Sequence, residues 1–335
     1  MRHVRTGWRV IDSVIDGVID KVSHSHIVQL CSQGKLDRNS LGGGEPRLLE
    51  TLALLGIRSR IGNQFVEIDS TIDLLNLEQV QAQIGDSDVV DSFEWQYRLL
   101  TESTNADVLK RFENQQKPCI ALAEMQTSGK GRRGRHWISP FARNIYCTIG
   151  ISRSIKPHNL GLISIVTGIG LCKALNHSGV NGVMLKWPND IYYQNQKLGG
   201  ILIESRPTTA GHYHFAIGIG INVSMTAEDL EDIPQAATSV NLICGNSISR
   251  NLLLAQVIRQ VVPMIHGFDE SSIPRLIEEF NDFDAFHNQR IRVTTASRTI
   301  DGVNRGINTS GQLELETEQG RQQFSAADIS IRGME

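Results

Sequence analysis

Gln126-Thr-Ser-Gly-Lys-Gly-Arg-Arg-Gly-Arg-His-Trp137 is the stretch on which the fold turns. Its glycines fall at Gly129-x-Gly131-x-x-Gly134, the spacing of a dinucleotide-binding turn, and the apolar run Ile120-Ala-Leu-Ala-Glu124 precedes it as a strand would. Such a fold also needs a helix opening at the third glycine and an acidic residue about 20 positions on to hold a ribose. Neither follows. Arg135-His-Trp-Ile-Ser-Pro140 contains a proline and no helical apolar spacing, and 150–155 reads Gly-Ile-Ser-Arg-Ser-Ile. No Gly-x-x-x-x-Gly-Lys-Ser/Thr segment occurs, so a P-loop is not supported either. The doubly wound architecture gives way to a mixed α+β one.

Outward from that segment, residues 94–283 mix β-rich runs with amphipathic helices. Strands are expected at Ile120–Glu124, Asn144–Ile149, Gly200–Glu204 and Phe215–Ile219. Helices are expected at Leu160–Asn176, Arg250–Ile265 and Ile273–Phe280, the last with Pro274 in its first turn, where a missing N–H costs nothing. The elements do not alternate strictly, which points to a mixed sheet. After Phe286 come short alternating strands, Arg290–Thr294, Gln312–Glu316 and Asp328–Arg332, broken by turns such as Asn308-Thr-Ser-Gly311; they read as a small β-barrel. The leading region carries helices at Ile27–Ser32 and Arg47–Leu55, then an alternating run, Gly56–Ile68, that suggests a two-stranded wing. Helices followed by a hairpin resemble a winged helix. Gly42-Gly43-Gly44 sits where the tight turn and second helix of a helix-turn-helix belong, so that part looks eroded. The expected domains are 1–80, 81–285 and 286–335.

With 335 residues, 40% of them hydrophobic, the chain can bury a sizeable core and form two or three domains, which excludes wholesale disorder. Lys plus Arg number 33 against 36 Asp plus Glu, so a net charge of -3 gives no global attraction to nucleic acid or an anionic membrane. Any polyanion site must be local. Residues 1–80 hold nine cations against ten anions, and the candidate recognition segment offers only Arg47, which argues against strong DNA binding. The uncharged apolar stretch Asn159–Cys172 is too short for a spanning helix, and Asp12, Asp16 and Asp20 lie where a secretory leader would be apolar. A cytoplasmic protein is expected. Cys31, Cys119, Cys147, Cys172 and Cys244 lack the paired spacing of zinc or redox sites and read as buried thiols.

Four segments carry chemistry. In 126–137, Lys130, Arg132, Arg133 and Arg135 alternate with glycines. Glycine lets a backbone approach a ligand, and guanidinium forks grip phosphate or carboxylate, each charge-assisted bond contributing about 1.5–3 kcal/mol. A mobile solvated loop would have the same composition. Lys186-Trp-Pro-Asn-Asp190 would hold a cation, an amide and a carboxylate at a sheet edge, or be simply a turn. Lys197-Leu-Gly-Gly-Ile-Leu-Ile-Glu204 brings a lysine that either reaches inward to an anion or snorkels to the surface. Ala216-Ile-Gly-Ile-Gly-Ile-Asn222 is a strand whose glycines mark the close approach of a ligand or another backbone. Ser103, Thr104 and Asn105 in Glu102-Ser-Thr-Asn-Ala-Asp107 either cap a helix running to Phe112 or line a pocket with hydroxyl and amide groups.

No one motif decides the chemistry; their order does. Ser-Thr-Asn, then Gln-x-x-Gly-Lys-Gly-Arg-Arg-Gly-Arg-x-Trp, Lys-Trp-Pro-Asn-Asp, Lys-Leu-Gly-Gly-Ile-Leu-Ile-Glu and Gly-Ile-Gly-Ile-Asn together resemble the biotin–protein ligase family over residues 95–225, and more weakly beyond. The pattern is similar to the bacterial bifunctional form, biotin ligase and biotin-operon repressor. That resemblance implies an α+β fold in three parts: an N-terminal winged-helix-like domain, a central mixed sheet of the class II aminoacyl-tRNA synthetase/biotin ligase kind, and a C-terminal SH3-like β-barrel. The implied reaction has two steps. Biotin and ATP give biotinyl-5′-adenylate and pyrophosphate, and a lysine amine of the biotin carboxyl carrier protein of acetyl-CoA carboxylase then attacks the activated carbonyl.

Carried over by matching position, Ser103, Thr104, Asn105 and Gln126 would bond the ureido ring. Lys130, Gly131 and Arg132 with Lys197 would hold the biotin chain and its carboxylate. Arg132, Arg133, Arg135, Trp137, Lys186 and Asn189 would hold ATP and the adenylate, with Trp137 either beside the adenine or buried in the core. Asp190 would contact Mg2+ or accept the proton of the attacking amine; with Arg132, Lys186 and Lys197 it makes up the implied catalytic set. A homodimer through an exposed edge of the central sheet is also implied. Lys130 stands where many relatives carry arginine, which keeps the charge and loses the fork. Met1–Asp20 have no counterpart in the family pattern, which together with the poor recognition helix weighs against a repressor role. The rival readings are a lipoate or octanoyl transferase of the same fold, a DNA-binding regulator that uses the adenylate only as corepressor, and an inactive scaffold, which would need none of these cations.

Overall fold

The computed structural model describes residues 21–209, 211–295, 297–326 and 330–333. The expectation for Met1–Asp20 lies outside them, as do Asp328 and Ile329 of the last expected strand. Among the described residues the strands are β1 (Lys35–Asp37), β2 (Ser59–Ile61), β3 (Phe65–Ile68), β4 (Glu94–Arg98), β5 (Cys119–Ala123), β6 (Ile145–Ser154), β7 (Met184–Lys186), β8 (Asp190–Tyr193), β9 (Gln196–Thr209), β10 (His212–Ile221), β11 (Arg290–Thr294), β12 (Thr299–Ile307), β13 (Leu313–Thr317), β14 (Gly320–Phe324) and β15 (Ser330–Gly333). They form three sheets, in the orders β1-β3-β2, β4-β5-β6-β10-β9-β8-β7 and β14-β13-β12-β11-β15. In the central sheet β4 and β5 pair in parallel and the other neighbours are antiparallel, so the sheet is mixed, as expected.

The isoleucine–glycine alternation of β10 builds this sheet. Successive side chains point to opposite faces of a strand. Ile217, Ile219 and Ile221 therefore share a face with Ile149, Cys147 and Ile145 across β6 and with Ile203 and Ile201 across β9. Helices Leu162–His177 and Arg250–Gly267 are part of the same apolar core. Ala216, Gly218 and Gly220 lie on the opposite face, in register with Gly150, Thr148 and Tyr146 on one side and with Glu204, Leu202 and Gly200 on the other. This second face is floored by small residues and carries the candidate site. Helix Leu162–His177 is apolar on nearly every side, the mark of a fully enclosed helix. With its leading turn, Pro157–His177, it is long and apolar enough to cross a membrane, but 72% of its most apolar window is buried inside the protein.

The leading region differs from expectation in two places: β1 joins the expected two-stranded wing as a third strand, and the shortened element is not the one expected. The glycines at 42–44 do form a turn, with Gly42 and Gly43 at positive φ, and a full helix, Glu45–Leu54, follows them. The shortening falls on the segment before, Arg38–Leu41, which makes a single 3-10 turn. The elements Ile27–Ser32 and Arg47–Leu55 are seen as helices Lys21–Gln33 and Glu45–Leu54. The connection to the central sheet is fastened by buried charge. Glu124 is 0% exposed and accepts from the Leu75 N–H at 2.5 Å, the Tyr97 hydroxyl at 2.9 Å and Arg250 Nη1 at 2.7 Å. Arg250 Nη2 donates to the Asp73 carbonyl, and Asn251 accepts from the Asn76 N–H and donates to the Leu74 carbonyl. At the other end Asp284 is buried and accepts from Asn304 Nδ2 at 2.6 Å and from the Phe286 N–H at 3.1 Å. That desolvation raises its carboxyl above the ordinary range.

All five cysteines are free. Cys31, Cys119, Cys147 and Cys172 are buried as expected, while Cys244 is only half-buried. Burial pushes the Cys31 and Cys147 thiols up to about 12 and the Cys119 thiol to about 11.

Candidate active site

Helix Thr104–Arg111 lies on the glycine floor. Ser103 occupies its N-cap position, but its side chain makes no capping bond. The cap comes from across the loop instead, because Gln126 Oε1 accepts from the Thr104 N–H at 3.0 Å and lies 3.2 Å from the Thr104 hydroxyl. Thr148 on β6 bonds Thr104 Oγ1 at 2.8 Å and Asn105 Oδ1 at 2.7 Å. Asn105 Nδ2 donates to Glu204 at 2.8 Å and to the Leu202 carbonyl at 3.2 Å. Gly218 is what makes room for this, since a Cβ there would collide with Asn105 Oδ1. Thr104, Asn105 and Gln126 are thus gathered into one hydroxyl and amide wall, with Ser103 adjoining it at the N-cap position, and Ser103, Thr104 and Asn105 are buried.

The cationic loop is an ordered hairpin. Lys130 bridges His136, the Gly131 N–H donates to the Arg135 carbonyl at 2.7 Å and the Trp137 N–H to the Gly129 carbonyl at 2.8 Å. Its tip turns through Arg133 and Gly134, both at positive φ. The six candidate cations do not converge on one point. Lys130, Arg133 and Arg135 are exposed on the hairpin, whereas Arg132, Lys186 and Lys197 are part-buried. Arg132 Nη1 donates to Asn189 Oδ1 at 3.0 Å and Nη2 donates to the Ala326 carbonyl, in the loop after β14. Burial lowers this guanidinium from its usual range, and the neighbouring Arg133 adds to the effect.

The Lys186–Asp190 turn, with its Trp187–Pro188 peptide cis, is held from three sides. Asn189 Nδ2 donates to the Ile201 carbonyl at 2.8 Å, Ser164 Oγ to the Pro188 carbonyl at 2.9 Å and the buried Trp187 Nε1 to the Gly311 carbonyl at 3.0 Å. Lys197 does reach inward, and its partner is Asp190, 2.7 Å away. Lys186 turns aside to the Tyr192 hydroxyl at 3.0 Å. Trp137 lies over the floor; a Cβ on Gly220 would come within 2.7 Å of its ring, and the Lys197 ammonium is 5.3 Å from the ring centroid. Its indole N–H is buried and has no acceptor among the described residues, a donor suited to a ligand oxygen.

Thr148, Ser139 and Glu204 belong to the wall and were not among the sequence candidates. Thr148 is the one polar residue within Ile145-Tyr-Cys-Thr-Ile149 besides the tyrosine, and strand alternation could have singled it out. Among the described residues no group of three or more His, Cys, Asp or Glu is placed to hold a metal.

Residues 97–222 match the model of the biotin/lipoate A/B protein ligase family, and residues 286–332 match that of the biotin protein ligase C terminal domain. The chain is 30% identical over 264 residues to the bifunctional ligase/repressor BirA of Escherichia coli (strain K12), spanning 79% of this chain and 80% of that one. It is 29% identical over 238 residues to the biotin--[acetyl-CoA-carboxylase] ligase of Paracoccus denitrificans, spanning 70% and 98%. The biotin protein ligase from Aquifex aeolicus, solved in complex with biotin and ATP, superposes with a TM-score of 0.60 at 25% identity, covering 72% of this chain and 99% of that one.

Proposed function

This chain belongs to the biotin/lipoate A/B protein ligase family, and from that premise we propose that it is an ATP-dependent biotin–protein ligase acting on a biotin carboxyl carrier protein. One observation carries the reading: a wall of hydroxyls and amides stands on the same sheet face as Arg132, Asn189, Asp190, Lys197 and Trp137. A cyclic urea needs both donors and acceptors, which an apolar lipoyl chain does not.

The first step must join two anions, the biotin carboxylate and the α-phosphate of ATP. Fixed positive charge offsets their repulsion and orients them for in-line attack. Arg132 and Lys197 supply it, the one held by Asn189 and the other by Asp190, and both can exchange those partners for substrate oxygens. The exposed Lys130, Arg133 and Arg135 form the outer rim that meets the triphosphate. Mg2+ would accompany ATP, with Asp190 as the carboxylate able to hold it, and would supply charge neutralisation for the leaving pyrophosphate. The hairpin, latched through Arg132 to Ala326, shields the adenylate from water. Asp190 then accepts the proton of the attacking carrier lysine.

In the same reading, 1–80 is a winged-helix-like domain and 286–335 an SH3-like one, the cytoplasm is the compartment that free thiols suit, and homodimers form through a sheet edge. Incubating the full-length protein with biotin, ATP, Mg2+ and a carrier domain should add one biotin to the carrier, and pyrophosphate exchange should require biotin and not lipoate. Exchange with lipoate alone would overturn the assignment. Operator binding by the leading helices is the second arm, read by a gel shift with and without biotin and ATP.

A further inference from the structure

The wall is one continuous hydrogen-bonded file drawn from four parts of the chain. It runs from Glu204 to Asn105 Nδ2 (2.8 Å), from Asn105 Oδ1 to Thr148 (2.7 Å), from Thr148 to Thr104 (2.8 Å) and from the Thr104 N–H to Gln126 Oε1 (3.0 Å). Gln126 Nε2 then donates to Ser139 Oγ (3.1 Å), which donates to the Trp137 carbonyl (2.9 Å). Both ends are acceptors only: an ionised carboxylate has no proton to give, and neither has a carbonyl. The carboxylate, with the Leu202 carbonyl at 3.2 Å as the weaker second acceptor, draws the Asn105 NH2 toward itself and leaves Oδ1 for Thr148, which spends its single proton there. The carbonyl end likewise fixes Gln126, with its NH2 toward Ser139 and its oxygen toward Thr104. Thr104 therefore gives its own proton to Thr148 Oγ1, and its hydroxyl oxygen stands beside Gln126 Oε1 as a second acceptor open to a ligand.

We propose that Glu204 is a positioning residue that sets the donor and acceptor polarity of this file, and with it the preference for a cyclic urea over isosteric rings. The inference rests on the ligase reading above. Two adjoining acceptors complement the ring N–H of a urea. With Asn105 reversed, Thr148 gives its proton to Thr104, and Thr104 gives its own to Gln126 Oε1. Both groups that face the ring are then consumed within the wall. Glu204 touches no reacting atom, so its loss acts on recognition and leaves the phosphate chemistry alone.

The test is biotin-dependent pyrophosphate exchange by the full-length protein, with biotin and its cyclic carbamate analogue, in which a ring N–H is replaced by oxygen. Glu204→Gln keeps the shape and can present either an oxygen or an NH2 to Asn105. It should raise KM for biotin about ten-fold, the effect of one weakened charge-assisted bond. It should also narrow the preference for biotin over the carbamate, with KM for ATP unchanged and kcat within about two-fold. Thr148→Val should act likewise, and Thr148→Ser, which restores the hydroxyl, should recover the wild-type KM. A merely structural role would move KM for ATP, kcat and the melting temperature together. Glu204→Gln with biotin KM and analogue preference both unchanged overturns the inference and leaves the ligase reading standing. Wild-type protein that exchanges pyrophosphate without biotin overturns the ligase reading itself.

Discussion

Gly218 and Gly220 show how much a missing side chain can specify. Their places on β10 are where Asn105 and Trp137 come down onto the sheet, and a Cβ would strike each of them. Gly220→Ala should cost about 1–3 kcal/mol of stability in denaturant melts, as overpacking does, and should depress biotin-dependent exchange by more than the stability loss accounts for. Arg132 gives a sharper readout. Arg132→Gly removes two charge-assisted bonds to Asn189 and Ala326 and the grip on the intermediate. The adenylate should dissociate about ten- to a hundred-fold faster, seen as biotin on bystander lysines; tight retention would refute the role. The glycines were legible in the sequence because their spacing within an isoleucine strand has no other use. The aim of Lys130, Arg133 and Arg135 was not, since a loop cation faces wherever the turn dihedrals send it, and the positive φ of Arg133 carries no sequence mark. Lys197 was half legible: it turns inward, but the sequence did not say that Asp190 would meet it.

Helices and strands that enclose the core were readable in kind and less so in extent. Leu162–His177 and Arg250–Gly267 lie close to their expected spans, although the first is apolar all round and not amphipathic as expected. β9 and β10 run well past the expected Gly200–Glu204 and Phe215–Ile219, because their outer ends pair through backbone while carrying polar side chains. β12 and β14 escaped notice for the same reason: Thr299–Ile307 and Gly320–Phe324 keep an exposed polar face and offer no apolar run. The join between the leading segment and helix Arg250–Gly267 was invisible, since ion pairing between Glu124 and Arg250 is a tertiary event. Breaking it strands a buried charge. Arg250→Ala should therefore cost about 3–5 kcal/mol in urea or guanidinium melts, and Glu124→Leu with Arg250→Met should recover only part of that, because the Leu75 N–H and the Tyr97 hydroxyl then lose their acceptor.

Over the whole molecule, loops of the C-terminal part grip both the Lys186–Asp190 turn and the cationic hairpin by carbonyl oxygens, Gly311 between β12 and β13 for Trp187 and Ala326 after β14 for Arg132. Trp187→Phe leaves the Gly311 carbonyl without its buried donor. It should lower stability by about 1–3 kcal/mol and raise KM for ATP, because the turn bearing Asn189 loses one of its three anchors.

Glu124 lies two residues ahead of Gln126, and it is the point where Leu75, Tyr97 and Arg250 are tied together. The short strand end between them is a lever. Whatever strains the chain upstream of Leu75 tugs, through that carboxylate, on the glutamine that caps helix Thr104–Arg111. Loosening the anchor in Arg250→Ala should accordingly quicken hydrogen exchange at the Thr104 amide while the amides of β10 keep their protection, so the front of the chain and the floor of the pocket would register the same disturbance differently.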